Sequence, residues 1–343
     1  MTACIHIVPE WLELVSLNFS IGVLVCRLWV LEDSAVSRRN LLARMWRLLG
    51  IAAAAMIASS ISDLLVRAAE MSGQPLSNVF SVLPTVVLRT HLGHIWLIRI
   101  AALLVLSIAL RAGRRHLESR AFMFFMLGLL AIISMTKSAS GHASDAGDFS
   151  VAEIMDWLHL MAASIWGGGL FVLAIAILPD LAGAGKLPAK VTADVACRFS
   201  RMAGIAVGII VITSLYNAWS FVGSVGALWK TPYGWTVIAK AVLFLLLICL
   251  GAYNRYVNVP LLGEWAALPP VEQGIISRGV SSILARFRHS PDYRLSIQRL
   301  ERNIRIEALL MVMVLLCATL LRHEVPARHH SHMGSSNGPH LHN

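Results

Sequence analysis

Charge is what this sequence has least of. Asp, Glu, Lys and Arg together make up 14% of its 343 residues, against about 25% in soluble globular domains. That leaves too little polar surface for a water-soluble protein. Cysteine is scarce as well, with five residues (Cys4, Cys26, Cys197, Cys249 and Cys317) and no CxxC spacing. A disulfide framework is not indicated, and small buried apolar side chains are expected instead. The chain also lacks a GxxxxGK[ST] phosphate loop, since Gly183-Ala184-Gly185-Lys186 is too short a fragment to serve as one. ATP hydrolysis is therefore not expected of it. No basic region precedes the first apolar stretch, which is long enough to span a bilayer, so a cleavable signal peptide is not expected either.

Apolar sequence fills the chain in place of charge. Hydrophobic residues account for 57% of it, and the mean hydropathy is +0.69. The apolar residues come in blocks of about 20, enough to cross roughly 30 Å of hydrocarbon as a helix. Eight such spans are predicted, giving an all-α membrane protein with eight transmembrane helices. They run from about Trp11 to Leu31, Leu48 to Val66, His94 to Leu110, Ala121 to Ala139, Ala152 to Leu178, Met202 to Val222, Trp235 to Tyr256 and Ile306 to Leu321. Residues 1–139 form a four-helix half, residues 140–322 a second half, and residues 323–343 a flexible His-rich tail.

The net charge is +10, yet in a membrane protein the placement of Lys and Arg matters more than their sum. Arginines crowd the odd-numbered connections: Arg38, Arg39, Arg44 and Arg47; Arg111, Arg114, Arg115 and Arg120; Lys186, Lys190, Arg198 and Arg201; and a long series from Arg255 to Arg305. The even connections carry little beyond Arg67, Arg89, Lys137 and Lys230. This asymmetry predicts a multi-pass protein of the bacterial inner membrane with both termini periplasmic. No nucleic-acid partner is expected. Within the cytoplasmic loop 257–305, Ile276, Val280, Ile283, Leu284 and Phe287 recur at helical spacing between arginines. That pattern predicts an amphipathic helix on the lipid surface, with another helix starting near Pro291-Asp292.

Orientation gives the histidines meaning. Of thirteen, only His116 and His289 fall on the predicted cytoplasmic side. Imidazole suits copper and other transition metals, and thioether sulfur selects Cu(I); methionines accompany the histidines on the outer side. A transition-metal ion is thus expected, with copper, as Cu(I) or Cu(II), favoured where thioether sulfur joins imidazole. The sharpest candidate is in the fifth span, where Met155, Asp156 and His159 share a helix face. Asp156 is expected to orient the His159 ring. His91 and His94 stand at the mouth of the third span, His142 precedes the fifth, and Met135 is near the outer end of the fourth. These could converge with His159 on one outward vestibule. His329, His330 and His332 lie in the tail, a His-rich tract of the kind that captures metal. Further ion-pathway candidates are Lys240 in the seventh span, Asp63 and Lys137, the last two expected to pair. Arg99 is a further charge inside the third span. The run Gly167-Gly168-Gly169 is expected to allow close helix approach.

Several stretches resemble the bacterial copper-resistance protein D family. They are Trp157-Leu158-His159 with Ile165-Trp166-Gly167-Gly168-Gly169-Leu170; Arg198-Phe199-Ser200-Arg201; Thr213-Ser214-Leu215-Tyr216-Asn217-Ala218; Tyr233-Gly234 ahead of Lys240; and Gly251-Ala252-Tyr253-Asn254-Arg255. The likeness covers about 110 residues, and the first four spans match only in number and topology. It implies an inner-membrane protein of copper tolerance or uptake that is not an enzyme and receives copper from a separate periplasmic carrier of the CopC type. The same resemblance carries His159 and Lys240 over as motif positions. A histidine shortly before a Trp-Gly-Gly helix is also similar to the membrane protoporphyrinogen oxidase family. That suggests an alternative, a haem-binding redox protein with His94 and His159 as axial pair.

Overall fold

The structure, a computed structural model, describes residues 2–31, 39–113, 119–141, 147–179, 189–222, 226–267, 275–284 and 292–324. These are helical with no strand among them. Eight of the helices are long and apolar enough to cross a membrane: Ile7–Val30, Asn40–Ser72, His91–Ala112, Arg120–Ser138, Val151–Ile177, Ala189–Ser220, Pro232–Trp265 and Tyr293–His323. We call them spans one to eight. Spans two, six, seven and eight continue well past the apolar stretches expected for them. Their extra turns, such as Ala189 to Arg201 and Tyr293 to Arg305, carry charged and polar side chains that water or headgroups can satisfy while the backbone keeps its helical hydrogen bonds.

Local chemistry fixes where the spans begin. Thr90, Ser119, Ser150 and Thr231 each accept a hydrogen bond from the backbone N–H three residues on, relieving the unpaired donors of a first turn. Pro232 follows Thr231 at the first helical position, where a missing N–H costs nothing. Asp292 starts the helix Tyr293–His323 by accepting from the N–H of Arg294. The helix Ile275–Leu284 carries Ile276, Val280, Ile283 and Leu284; Phe287 lies outside the described residues. Between spans two and three, where a loop was expected, a short helix Val79–Arg89 contains Pro84 and buries Val79 and Val86 against Leu64 and Ala68.

Span one is the axis of the bundle. Its apolar window is 78% buried, against 6% for span seven, and it packs chiefly on spans two and five. The glycine run explains how span five comes so near. Successive helical residues point about 100° apart, so three adjacent glycines serve three neighbours. A Cβ at Gly168 would collide with the Asn18 backbone and one at Gly22 with the Gly168 backbone, both on the contact of spans one and five. A Cβ at Gly167 would stand 2.8 Å from Met311 of span eight, and one at Gly169 2.7 Å from Phe199 of span six. Without a hydrophobic driving force between helices in lipid, such close packing is what holds spans together.

Candidate functional site

Two polar regions occupy the end of the bundle where His323 closes span eight. The first is an ion network across spans one to four and eight. Glu13 binds Lys137 at 2.6 Å and Arg99 at 3.4 Å. Glu10 binds Arg67 at 2.7 Å and His323 at 3.0 Å, with Lys137 3.8 Å away. Asp63 binds Arg67 at 2.9 Å and lies 3.9 Å from Arg99. Three carboxylates thus meet three basic side chains. The Arg99 guanidinium also donates to the Thr136 carbonyl and the Ser140 hydroxyl, both at 2.8 Å. Asp63 and Lys137 do not pair with each other, contrary to expectation. Each has a nearer partner, and Arg99 and Glu13 stand between them. Glu10, Glu13 and Arg67 were missed in the sequence, although two acids three residues apart at the start of an apolar span are costly enough to signal a partner.

The second region is in spans five to eight. The Nδ1 of His159 lies 3.0 Å from the Thr213 hydroxyl of span six. Thr213 donates its own hydrogen to the Ile209 carbonyl at 2.8 Å. The hydroxyl is thus set to accept from Nδ1, and the Ile210 carbonyl of the same span also lies against the ring. In the tautomer with its proton on Nδ1, Nε2 carries the lone pair that a metal ion would use. Lys240 of span seven lies within electrostatic range of His159, Asp156 and Cys317. Four spans thus contribute to one neighbourhood.

Asp156 does not orient His159. Its carboxylate accepts instead from Ser138 of span four at 2.9 Å. Residues i and i+3 are offset by about 60° on a helix, which is enough for one to face span four and the other span six. Met155 stands one turn outward of His159 on span five, and Met135 is half-buried on span four. Met161 accepts from Ser134 at 3.1 Å through its sulfur. The histidines at the mouth of span three do not join His159. His91 binds Asp148 at 3.0 Å with both side chains more than half exposed, and His94 meets the Leu88 carbonyl at 3.2 Å. No three His, Cys, Asp or Glu side chains form a metal-ligand group among the described residues. His142, His329, His330 and His332 lie outside them.

Comparison with known proteins matches two stretches of the chain. Residues 1–151 match the family described as "Copper resistance protein D-like, N-terminal domain", and residues 193–321 match "Copper resistance protein D". The chain is 31% identical to "Copper transport protein CutJ" of Bacillus subtilis (strain 168) over 47% of this chain and 30% of that protein. It is 28% identical to "Copper resistance protein D" of Pseudomonas syringae pv. tomato over 59% of this chain and 65% of that one. To "Inner membrane protein YebZ" of Escherichia coli (strain K12) it is 26% identical over 76% of this chain and 86% of that one. The chain therefore spans less than a third of the Bacillus relative and just under two thirds of the Pseudomonas one. No solved structure matches it.

Proposed function

The chain belongs to the copper resistance protein D family, and from that premise we propose that it binds periplasmic copper and carries it into the membrane through spans five to eight. The arginine-rich connections face the cytoplasm under the positive-inside rule. The His323 end, with both termini, then faces the periplasm across the inner membrane. The tail gathers copper delivered by a carrier of the CopC type, and His329, His330 and His332 are its ligands. From there the ion passes to His159, whose Nε2 is the acceptor, with Met155 and Met135 as soft ligands nearby. The protein moves or holds the ion and performs no covalent chemistry on a substrate.

One observation carries this reading. In a membrane interior a histidine is expensive, and this one is anchored to span six through Thr213 and Ile210 with Lys240 of span seven nearby. The haem alternative has no comparable support, because His94 turns to the Leu88 carbonyl at an exposed end and is not opposed to His159.

The test is metal content and the absorption spectrum of protein purified in detergent, full-length and cut after Glu324, a cut that keeps the His323–Glu10 contact. Copper retained in part without the tail and falling further in His159→Ala supports a tail feeding an intramembrane site. Copper binding indifferent to His159→Ala would sink the assignment of that residue, and a Soret band with iron, lost in the same variant, would make this a haem protein.

A further inference from the structure

The opposite end of the bundle holds a cavity that the copper reading does not use. It measures about 600 Å³ and lies between spans five, six, seven and eight, bordered by Trp166, Ser200, Gly251, Asn254, Arg255 and Glu307. Most of its wall is apolar. Glu307 of span eight is 3% exposed, sixteen residues from His323 and so about 24 Å down the helix axis from the ion network.

The surroundings of Glu307 differ from those of every other buried acid described. Glu10, Glu13 and Asp63 each touch a cation. Glu153 accepts from the Phe149 N–H at 2.5 Å, at the start of its own helix, where a negative charge is favoured. Glu307 has only an amide. The Asn254 side chain donates to one of its oxygens, and no ion pair reaches it among the described residues. Asn254 is itself set in that direction, because its Oδ1 accepts from Asn258 at 2.6 Å and Asn303 at 3.0 Å. A π-helical turn, Asn254–Asn258, presents both asparagines to this place; such turns recur at functional sites. The other titratable groups on the cavity wall are Arg201, Arg255 and Tyr256. Arg255 is engaged on the same wall by the carbonyl and hydroxyl of Ser200 and makes no ion pair with Glu307, and Arg201 is exposed.

An ionised carboxylate taken from water without a cation is strongly penalised even after relaxation, and a carboxyl group escapes that penalty by keeping its proton. One oxygen of Glu307 is committed to Asn254. The other faces Gly251 and the chamber, where a proton can arrive or leave. We propose that Glu307 is a proton-binding site that exchanges through this chamber, independently of where copper binds. In one step the carboxyl releases its proton to chamber water, becoming carboxylate, and the reverse step restores it.

The chamber is of the size that admits a drug-sized molecule, which makes the site testable with dicyclohexylcarbodiimide on the full chain, metal-free, in detergent. The reagent takes the proton of a protonated carboxyl onto nitrogen while the carboxylate oxygen adds to its central carbon. The O-acylisourea so formed rearranges to a stable N-acylurea. Mass mapping should place the adduct on Glu307 and not on Glu10, Glu13 or Asp63, and Glu307→Gln should abolish it. The infrared difference between the unaltered chain and Glu307→Gln at neutral pH should contain a carboxylic C=O band. Carboxylate bands there would overturn the proposal. A carboxylic band with no adduct would overturn exchange through the chamber, and equal labelling of Glu10, Glu13 or Asp63 would overturn the distinction between the acids. If Glu307→Gln does not fold, mass mapping of the unaltered chain decides alone.

Discussion

The two halves of this bundle treat buried polar groups in opposite ways. In spans one to four, every buried acid meets a cation, as Glu13 does Lys137 and Arg99, and Asp63 does Arg67. In spans five to eight, His159 is held by a hydroxyl and a backbone carbonyl with no carboxylate on its ring, and Glu307 by an amide with one oxygen open to a cavity. Lys240 makes no hydrogen bond or ion pair among the described residues. Carboxylates already answered by cations have little charge left to offer a ligand, so the network serves to fix helices. Groups left half-satisfied in a low-dielectric interior are costly, and that cost is tolerated where they do something. The N-terminal half therefore reads as frame and the C-terminal half as the working part.

The sharpest way to break this comparison is to open the network. Glu13→Ala leaves Lys137 and Arg99 buried with one acid fewer, a loss of about 3–5 kcal/mol, measurable as a large fall in unfolding temperature in detergent. Pairing Glu13→Gln with Lys137→Met should recover much of it, because removing both charges leaves neither unpaired. Copper bound per folded molecule should be unchanged in the double variant. A fall in copper there would mean that the network is part of the site.

Next comes Thr213. Thr213→Val removes the acceptor that holds the His159 ring and should cost copper affinity roughly 10–100-fold while barely altering the fold. Thr213→Ser keeps the hydroxyl and should retain binding. Equal copper affinity in Thr213→Val and the unaltered chain would show that the ring does not need this anchor. Gly22→Ala should follow in size, at about 1–3 kcal/mol for a forced separation of packed helices. Its effect belongs to stability, since the crossing with Gly168 holds the two halves together and binds nothing.

Much of the frame could be read in the chain. Eight apolar blocks of spanning length gave the helices, and Pro291-Asp292 gave the start of the eighth. The resemblance pointed to His159 and Lys240, and a run of three glycines marked the hub. What could not be read was direction. Asp156 and His159 share a helix face by spacing, yet Ser138 and Thr213 on different neighbours draw them apart. Asp63 and Lys137 lie at the same depth, yet Arg99 and Glu13 come between. Glu307 is the only acid between Arg305 and Arg322 in span eight, a signal available from sequence. Its lack of an ion pair, however, depends on Arg255 being taken up by Ser200.

The smallest effect belongs to the histidines at the mouth of span three. His91 pairs with Asp148 in full view of solvent, and an exposed pair of this kind contributes about 0–1 kcal/mol. His94 returns to its own chain at Leu88. Neither ring is directed at His159, so His91→Ala and His94→Ala should leave both the unfolding temperature and the copper content of the chain cut after Glu324 nearly unchanged. A clear loss of copper in either variant would mean that the outer histidines converge when metal arrives, as the sequence pattern suggested. The division between frame and working part would then have to move outward to take in span three. With copper unchanged in both, the route from tail to His159 bypasses span three and enters along the faces of spans five to eight.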